Sequence, residues 1–315
     1  MQFKKPNFWD YKKPNLISYI LLPLTIPLKI NNYLLNKKVN IKNNKIKTIC
    51  VGNIYVGGTG KTPTTIYLYN LLKNLNKNIS TAKKFYSAQK DEHNLLKNTN
   101  LILGKTREEI INKALNLKKK ILIFDDGLQE KCIDYDLKFV CFDTNRWVGN
   151  GRLIPSGPLR EKLDSLKKYD GVFLKGEEKE SKHLFRLIKK NNPKIEIFFT
   201  KYDVLNSKRF NKKDNFLIFS GIGNSNDFKN TLIKNKFKII KEIIYPDHYQ
   251  YKSKDIKEIE DLAKKMNAKI ITSEKDYVKV KLFNKKNIKF LKINLKIKNT
   301  NKLLNFIKSK FYETD

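Results

Sequence analysis

From residue 46 onward, short apolar runs alternate with stretches of helical character, the pattern of strands that feed helices in an α/β fold. A strand is predicted over 46–51, followed by a glycine-rich loop and a helix over about 62–75. Further strands are predicted over 121–124, where the run ends abruptly at Asp125-Asp126, and over 138–142 and 171–174. Runs this short and this apolar fit the core of a mostly parallel sheet with helices on both faces. Around 191–214 the chain turns polar, and a second, smaller α/β set follows, with strands over 216–219, 237–244 and 269–272 and a helix over 254–266. The expected organisation is an amino-terminal segment over 1–40, a core domain over 41–205 and a smaller carboxy-terminal α/β domain over 206–315. No repeat of fixed period interrupts this plan.

The amino-terminal segment follows a different pattern. Residues 1–15 are basic and aromatic, and the apolar run over 16–28 contains two prolines, Pro23 and Pro27. At 13 residues it is well short of the roughly 20 needed to span a bilayer. No small-residue cleavage site follows it, so an export signal is a poor fit. Two readings stay open: an interfacial anchor whose flanking Lys4, Lys5, Lys12, Lys13 and Lys29 meet anionic headgroups, or a helix packed on the domain's own core.

With 315 residues, 40% of them apolar, the chain can bury a substantial core, and global disorder is excluded. The formal charge of +35 points to a polyanionic partner: nucleic acid, an anionic membrane or a phosphorylated substrate. Only six of the 66 basic residues are arginine, and the excess of Lys, Asn and Ile equally suits drift on solvated faces. Cys50, Cys132 and Cys141 form no CxxC pair, which argues against a disulfide framework and a zinc knuckle and for a reduced, cytosolic chain.

Four of 13 glycines fall in Gly52-Asn53-Ile54-Tyr55-Val56-Gly57-Gly58-Thr59-Gly60-Lys61-Thr62-Pro63, between a predicted strand and a predicted helix. Glycines let backbone N–H groups turn toward phosphate oxygens, the helix N-terminus favours negative charge, and Lys61 adds a mobile cation. Gly57, Gly58, Thr59, Gly60, Lys61 and Thr62 are therefore candidate ATP-binding residues, with the Thr62 hydroxyl on Mg²⁺. The strict phosphate-loop spacing asks for glycine at position 55, where this chain has Tyr55. Strand, glycine core and helix are nonetheless in the order of a P-loop NTPase. Asp125 and Asp126, about 60 residues later at the end of a strand, stand where a phosphate-loop enzyme keeps its metal-binding acid.

Three of the six arginines lie close together in a Gly/Pro-rich loop, at Arg146, Arg152 and Arg160. The planar fork of arginine binds phosphate or carboxylate in a bidentate way that lysine cannot reproduce. Recognition of substrate phosphate or sugar and structural ion pairing are both compatible with this loop.

Together these segments resemble one family, the tetraacyldisaccharide 4′-kinases of lipid A synthesis. The resemblance rests on Val51-Gly52-Asn53-Ile54 through Gly57-Gly58-Thr59-Gly60-Lys61-Thr62-Pro63, on Asp125-Asp126-Gly127-Leu128-Gln129, and on Gly149-Asn150-Gly151-Arg152 through Leu159-Arg160-Glu161. Phe219-Ser220-Gly221-Ile222-Gly223-Asn224, Pro246-Asp247-His248-Tyr249 and Thr272-Ser273-Glu274-Lys275-Asp276 extend it to the carboxy-terminal part. It implies transfer of the ATP γ-phosphate, with Mg²⁺, to the 4′-hydroxyl of an acylated disaccharide 1-phosphate lipid by a peripheral protein on the cytoplasmic face of the inner membrane. It implies neither a nucleic-acid nor an obligate protein partner.

By the same resemblance Asp91 is the catalytic aspartate and His248 its partner, acting with Lys61, Asp125 and Asp126, while Asn53, Arg152, Arg160 and Glu161 contact substrate. Thr62, Asp125 and Asp126 form the metal set. Where the family usually carries Ser-Arg-Gly-Tyr, this chain has Ser80-Thr81-Ala82-Lys83-Lys84-Phe85-Tyr86. That departure supports the alternatives of a catalytically impaired, membrane-associated nucleotide binder or, given the charge, a nucleic-acid-stimulated NTPase.

Overall fold

A computed structural model describes residues 5–37, 41–42, 45–86, 90–130, 132–280 and 287–312. In chain order the helices are α1 (Leu16–Ile20), α2 (Ile26–Lys37), α3 (Lys61–Lys73), α4 (Lys90–Leu96), α5 (Arg107–Asn116), α6 (Lys182–Asn191), α7 (Ser225–Lys234), α8 (Ser253–Lys265), α9 (Glu274–Val280) and α10 (Thr300–Tyr312). The strands are β1 (Ile41–Lys42), β2 (Lys47–Gly52), β3 (Ile79–Lys84), β4 (Ile102–Gly104), β5 (Ile121–Asp125), β6 (Ile133–Asp134), β7 (Leu137–Asp143), β8 (Gly171–Lys175), β9 (Glu196–Val204), β10 (Asn215–Ser220), β11 (Lys238–Ile244), β12 (Ala268–Ser273), β13 (Ile288–Leu291) and β14 (Ile293–Ile297).

The larger of two compact units comprises 5–85, 96–201 and 296–315. Its sheet has the order β14-β9-β8-β7-β2-β5-β3-β4, with every pair from β9 to β4 parallel. Cys50, Leu122, Phe124, Val140, Phe142 and Leu174 share one face with Ile110 and Ala114 of α5 and Leu184 and Ile188 of α6. On the other face Phe139, Phe173 and Phe198 meet Phe306 of α10, with ring centroids 4.9 to 6.3 Å apart. Both faces are covered, so the strands read as continuous apolar runs rather than as alternations.

The smaller unit comprises 86–95 and 202–295. Its four strands, in the order β11-β10-β12-β13, are all parallel. Leu217, Phe219 and Ile270 pack on Ile256, Ile259 and Ala263 of α8, while Phe216, Ile218 and Ile271 pack on Phe228 and Leu232 of α7.

The two compact units depart from the expected partition. The boundary expected near 205 falls at 201, and the last helix returns to the larger unit, because Leu303, Ile307 and Phe311 give α10 one apolar face at helical spacing. Each such buried side chain contributes about 1.5–3 kcal/mol, so the helix has more to gain on that sheet than in water. In addition, 86–95 belong with the carboxy-terminal unit, so the helix carrying Asp91 lies in the same unit as His248.

The amino-terminal segment from Lys5 onward is part of the larger unit rather than a separate domain. Two of its polar side chains face inward while several apolar ones are exposed. Ser18 and Thr25 are buried, whereas Leu16, Ile17, Ile20, Leu24, Ile26 and Ile30 are half or more exposed. Trp9 is buried and Leu28 packs on Tyr55, Leu153 and Leu159, so the segment both rests on the unit and carries an exposed apolar ridge. Among those residues, no helix is long and apolar enough to cross a membrane.

Candidate functional site

The central neighbours β2 and β5 pair Val51 with Asp125, so the glycine loop and the acidic pair leave the sheet side by side at the carboxyl ends of their strands. Ligands of open parallel sheets bind there. Gly60 caps α3 with φ 91°, a left-handed conformation that costs glycine nothing, and Pro63 sits in the first helical turn, where its missing N–H is no loss.

Asp125 is fully buried and heavily engaged. Its Oδ2 accepts from Thr62 Oγ1 at 3.0 Å and from Lys83 Nζ at 2.8 Å, and its Oδ1 from Thr65 Oγ1 at 3.3 Å. Asp126, with φ 63°, turns outward from the strand end, and about a quarter of its side chain is exposed. Lys61 Nζ lies 3.5 Å from Oδ2 and Arg160 Nη1 3.3 Å from Oδ1. Burial pushes the Asp126 carboxyl up, but the combined field of Lys61, Arg160, Lys83 and Arg107 outweighs it and holds the group down at about 2.

Arg160 also donates to Gln129 Oε1 at 3.0 Å, and Gln129 Nε2 donates to the Asn53 carbonyl at 2.8 Å. The arginine-rich loop and the glycine loop are thus tied together. Their backbones pair as well: Val56 N–H donates to the Pro158 carbonyl at 2.9 Å and Arg160 N–H to the Ile54 carbonyl at 2.7 Å.

The candidate substrate contacts are distributed unevenly. Arg160 faces the acidic pair. Arg152 instead lies over the ring of Tyr19, 5.5 Å from its centroid. Glu161 is buried and accepts from the Tyr169 hydroxyl at 3.2 Å. Asn53 is fully buried, and its amide braces the loop by donating to the Tyr55 and Gly57 carbonyls.

Two residues that sequence reasoning passed over matter here. Lys83 pairs with Asp125, and only the register of β3 on β5, Ala82 opposite Phe124, reveals it. Arg107, almost fully buried, donates to the Asp126 carbonyl at 2.6 Å and so supports that residue's unusual backbone conformation.

In the smaller unit, Lys275 Nζ stands 3.4 Å from each of Glu92 Oε1, Asp247 Oδ1 and His248 Nε2. His248 Nε2 is 3.7 Å from Glu92 Oε1. Lys275 thus sits among two carboxylates and the imidazole ring. Asp91 lies in the first turn of the same helix as Glu92, and its side chain lies outside the described residues.

The donor chemistry fits Mg²⁺ with a nucleotide. Among the described residues no three acidic, His or Cys side chains form a metal cluster. Mg²⁺ needs none, since it is held by one or two carboxylates together with phosphate oxygens and water. Thr62, Asp125 and Asp126 supply such a set. The buried Oγ1 of Thr59, in the loop itself, has no hydrogen-bond partner, as expected of a cradle shaped for a polar ligand.

A model of the family described as tetraacyldisaccharide-1-P 4′-kinase matches residues 18–312. The chain belongs to this family. It is 47% identical to the tetraacyldisaccharide 4′-kinase of Pelagibacter ubique over 97% of both chains. It is 36% identical to that of Rickettsia bellii, over 87% of this chain and 89% of the relative. The crystal structure of LpxK from Aquifex aeolicus in complex with ATP shares the fold, with a TM-score of 0.68 at 23% identity over 94% of this chain and all of that one. Membership gives the family's kinase reaction to this chain, whose phosphate loop is complete but for the glycine replaced by Tyr55.

Proposed function

We propose that this chain transfers the γ-phosphoryl group of ATP to the 4′-hydroxyl of a tetraacyldisaccharide 1-phosphate at a membrane surface facing the cytoplasm. The observation that carries the reading is the convergence of Lys61, Thr62, Asp125, Asp126 and Arg160 at the carboxyl ends of β2 and β5.

The glycine loop binds the phosphates through its backbone N–H groups, and Lys61 neutralises charge on the β- and γ-phosphates. Thr62, Asp125 and Asp126 would hold Mg²⁺, which when bound screens the phosphate charges and orients them for in-line transfer. Asp126 stays ionised throughout the physiological range, so it binds cations without first losing a proton. Arg160, freed from Asp126 by exchange, presents a planar fork to a phosphate. Asp91, with His248 as its partner, accepts the proton of the attacking hydroxyl.

Membrane attachment is supported by the exposed apolar side chains of the amino-terminal segment. This ridge over 16–34, preceded by exposed Lys12 and Lys13 and carrying exposed Lys29, has the composition of a helical segment lying in the headgroup region. The chain works there as a peripheral protein without nucleic acid or an obligate protein partner.

The test is mass spectrometry of tetraacyldisaccharide 1-phosphate after incubation with the purified protein, ATP and Mg²⁺ in detergent. One added phosphate at the 4′ position supports the reading. An unchanged lipid, with protein shown to be folded and to bind ATP, opposes it and favours the impaired-binder alternative.

A further inference from the structure

Tyr55 stands where a strict phosphate loop has glycine, yet its backbone is not in the left-handed region. Its side chain is completely buried in a small apolar cluster with residues of two other segments: Leu28 of the amino-terminal segment, and Val148, Leu153 and Leu159 of the arginine-rich loop. The phenol ends in a polar latch. Its hydroxyl donates to Asp10 Oδ1 and accepts from Lys5 Nζ at 3.0 Å, and Lys5 pairs with Asp10. Burial pushes the Tyr55 hydroxyl up and lowers the Lys5 ammonium, so the phenol remains a neutral hydrogen-bond donor.

The segment that supplies Lys5 and Asp10 is itself firmly seated. Trp9, almost fully buried, donates from Nε1 to the Pro155 carbonyl at 2.9 Å. Asn150 Nδ2 donates to Ser18 Oγ at 2.9 Å, and Asn32 Nδ2 to the Arg160 carbonyl at 2.9 Å. The contacts form a stack in which the amino-terminal segment holds the arginine-rich loop, and both hold the phosphate loop.

From this stack we infer that Tyr55 is a positioning residue for nucleotide, and that through its latch to Asp10 and Lys5 the amino-terminal segment is a working part of the ATP site. A glycine at position 55 would leave the loop free to sample many conformations. The latched tyrosine limits it to one, so less ordering remains to be done when nucleotide binds. A second consequence rests on the membrane reading given above. If a bilayer holds the segment in its seated arrangement, lipid binding tightens nucleotide binding, and by linkage nucleotide tightens lipid binding by the same factor.

The experiment measures binding of a fluorescent methylanthraniloyl derivative of ATP, with Mg²⁺, to the full-length protein without lipid, beside Tyr55→Phe, Asp10→Asn and the double variant. Tyr55→Phe keeps the ring and its packing and removes only the latch. The expected result is a Kd raised roughly three- to tenfold in either single variant, with the double variant no weaker than the singles, because both remove one interaction. The KM for ATP should rise with it while the KM for the lipid acceptor and the melting temperature hold, a split that a merely structural role would not give. A Kd for Tyr55→Phe within about twofold of the parent's overturns the latch.

Vesicles of phosphatidylcholine with phosphatidylglycerol then decide the coupling. Tighter nucleotide binding by the parent but not by the double variant, with both sedimenting on the vesicles, supports it. Equal tightening in both overturns it. A parent that does not sediment overturns the membrane reading and the coupling together, whereas the latch is judged by the lipid-free Kd alone.

Discussion

Lys83 Nζ lies 2.8 Å from Asp125 Oδ2, and both side chains are withdrawn from water, at 3% and 0% exposure. A carboxylate so deep in the sheet needs a permanent counter-charge, and Lys83 provides it from the adjacent strand. Thr62 and Thr65 also donate to this carboxylate, so the pair is part of a hydrogen-bonded cluster rather than an isolated ion pair.

Removing one partner strands the other. Lys83→Met should destabilise the protein by about 3–5 kcal/mol, since Asp125 is left charged and buried. Urea denaturation followed by circular dichroism measures this as a lowered midpoint, and an unchanged midpoint would show that Asp125 does not depend on Lys83.

The held-down value of Asp126 has a defined pH signature. A group whose folded value is depressed stabilises fully above its unfolded value, and that contribution is lost as pH falls through the folded one. Here the window runs from 3.8 down to about 2. Between about pH 5 and 8 the stability therefore shows no inflection from Asp126. Lys61→Met removes the largest favourable charge, so the Asp126 carboxyl should titrate at higher pH in a ¹³C NMR titration of the variant. An unmoved titration would contradict the assigned field.

Much of this arrangement is legible in the amino-acid sequence, and the exceptions have physical causes. The placement of Lys61, Thr62 and Asp125 beside one another could be read because it follows from local spacing, the glycine loop before a helix and an acid at a strand end. Lys83 could not, because in a lysine-rich chain it reads as one more surface cation until the strand register puts it beside Asp125. Asn53 and Glu161 carry motif positions whose burial is a tertiary fact. The return of α10 to the larger unit depends on an apolar face whose partner sheet lies some hundred residues away in sequence. The amino-terminal segment left two readings open, and its burial pattern, with Trp9, Ser18 and Thr25 buried beside exposed leucines and isoleucines, is a tertiary fact that the sequence does not show.

Gly149, with φ 56°, lets the amino-terminal segment approach closely, since a Cβ there would stand 2.1 Å from the Trp9 carbonyl oxygen. Gly149→Ala should therefore unseat Trp9 and cost about 1–3 kcal/mol. Limited proteolysis is expected to release the amino-terminal segment faster from the variant. Equal cleavage rates would show that the close approach is dispensable.

The exposed ridge predicts a separation of function from folding. Replacing Leu16, Ile20 and Leu24 together by serine removes side chains that bury little on folding, so the melting temperature should barely move. Sedimentation with anionic vesicles should fall about tenfold or more, because three apolar side chains leave the lipid interface. A variant that sediments like its parent would move the membrane contact elsewhere.

Lys61 and Asp126, which meet beyond the carboxyl ends of β2 and β5, are proposed to carry phosphoryl transfer to the lipid disaccharide. The most direct measurement of this is the initial rate of phosphate incorporation from labelled ATP into tetraacyldisaccharide 1-phosphate by the parent, Lys61→Ala and Asp126→Asn in one detergent system. The account predicts turnover by the parent and a loss of about a hundredfold or more in each variant, with folding intact. Parent-level turnover in both variants would contradict it.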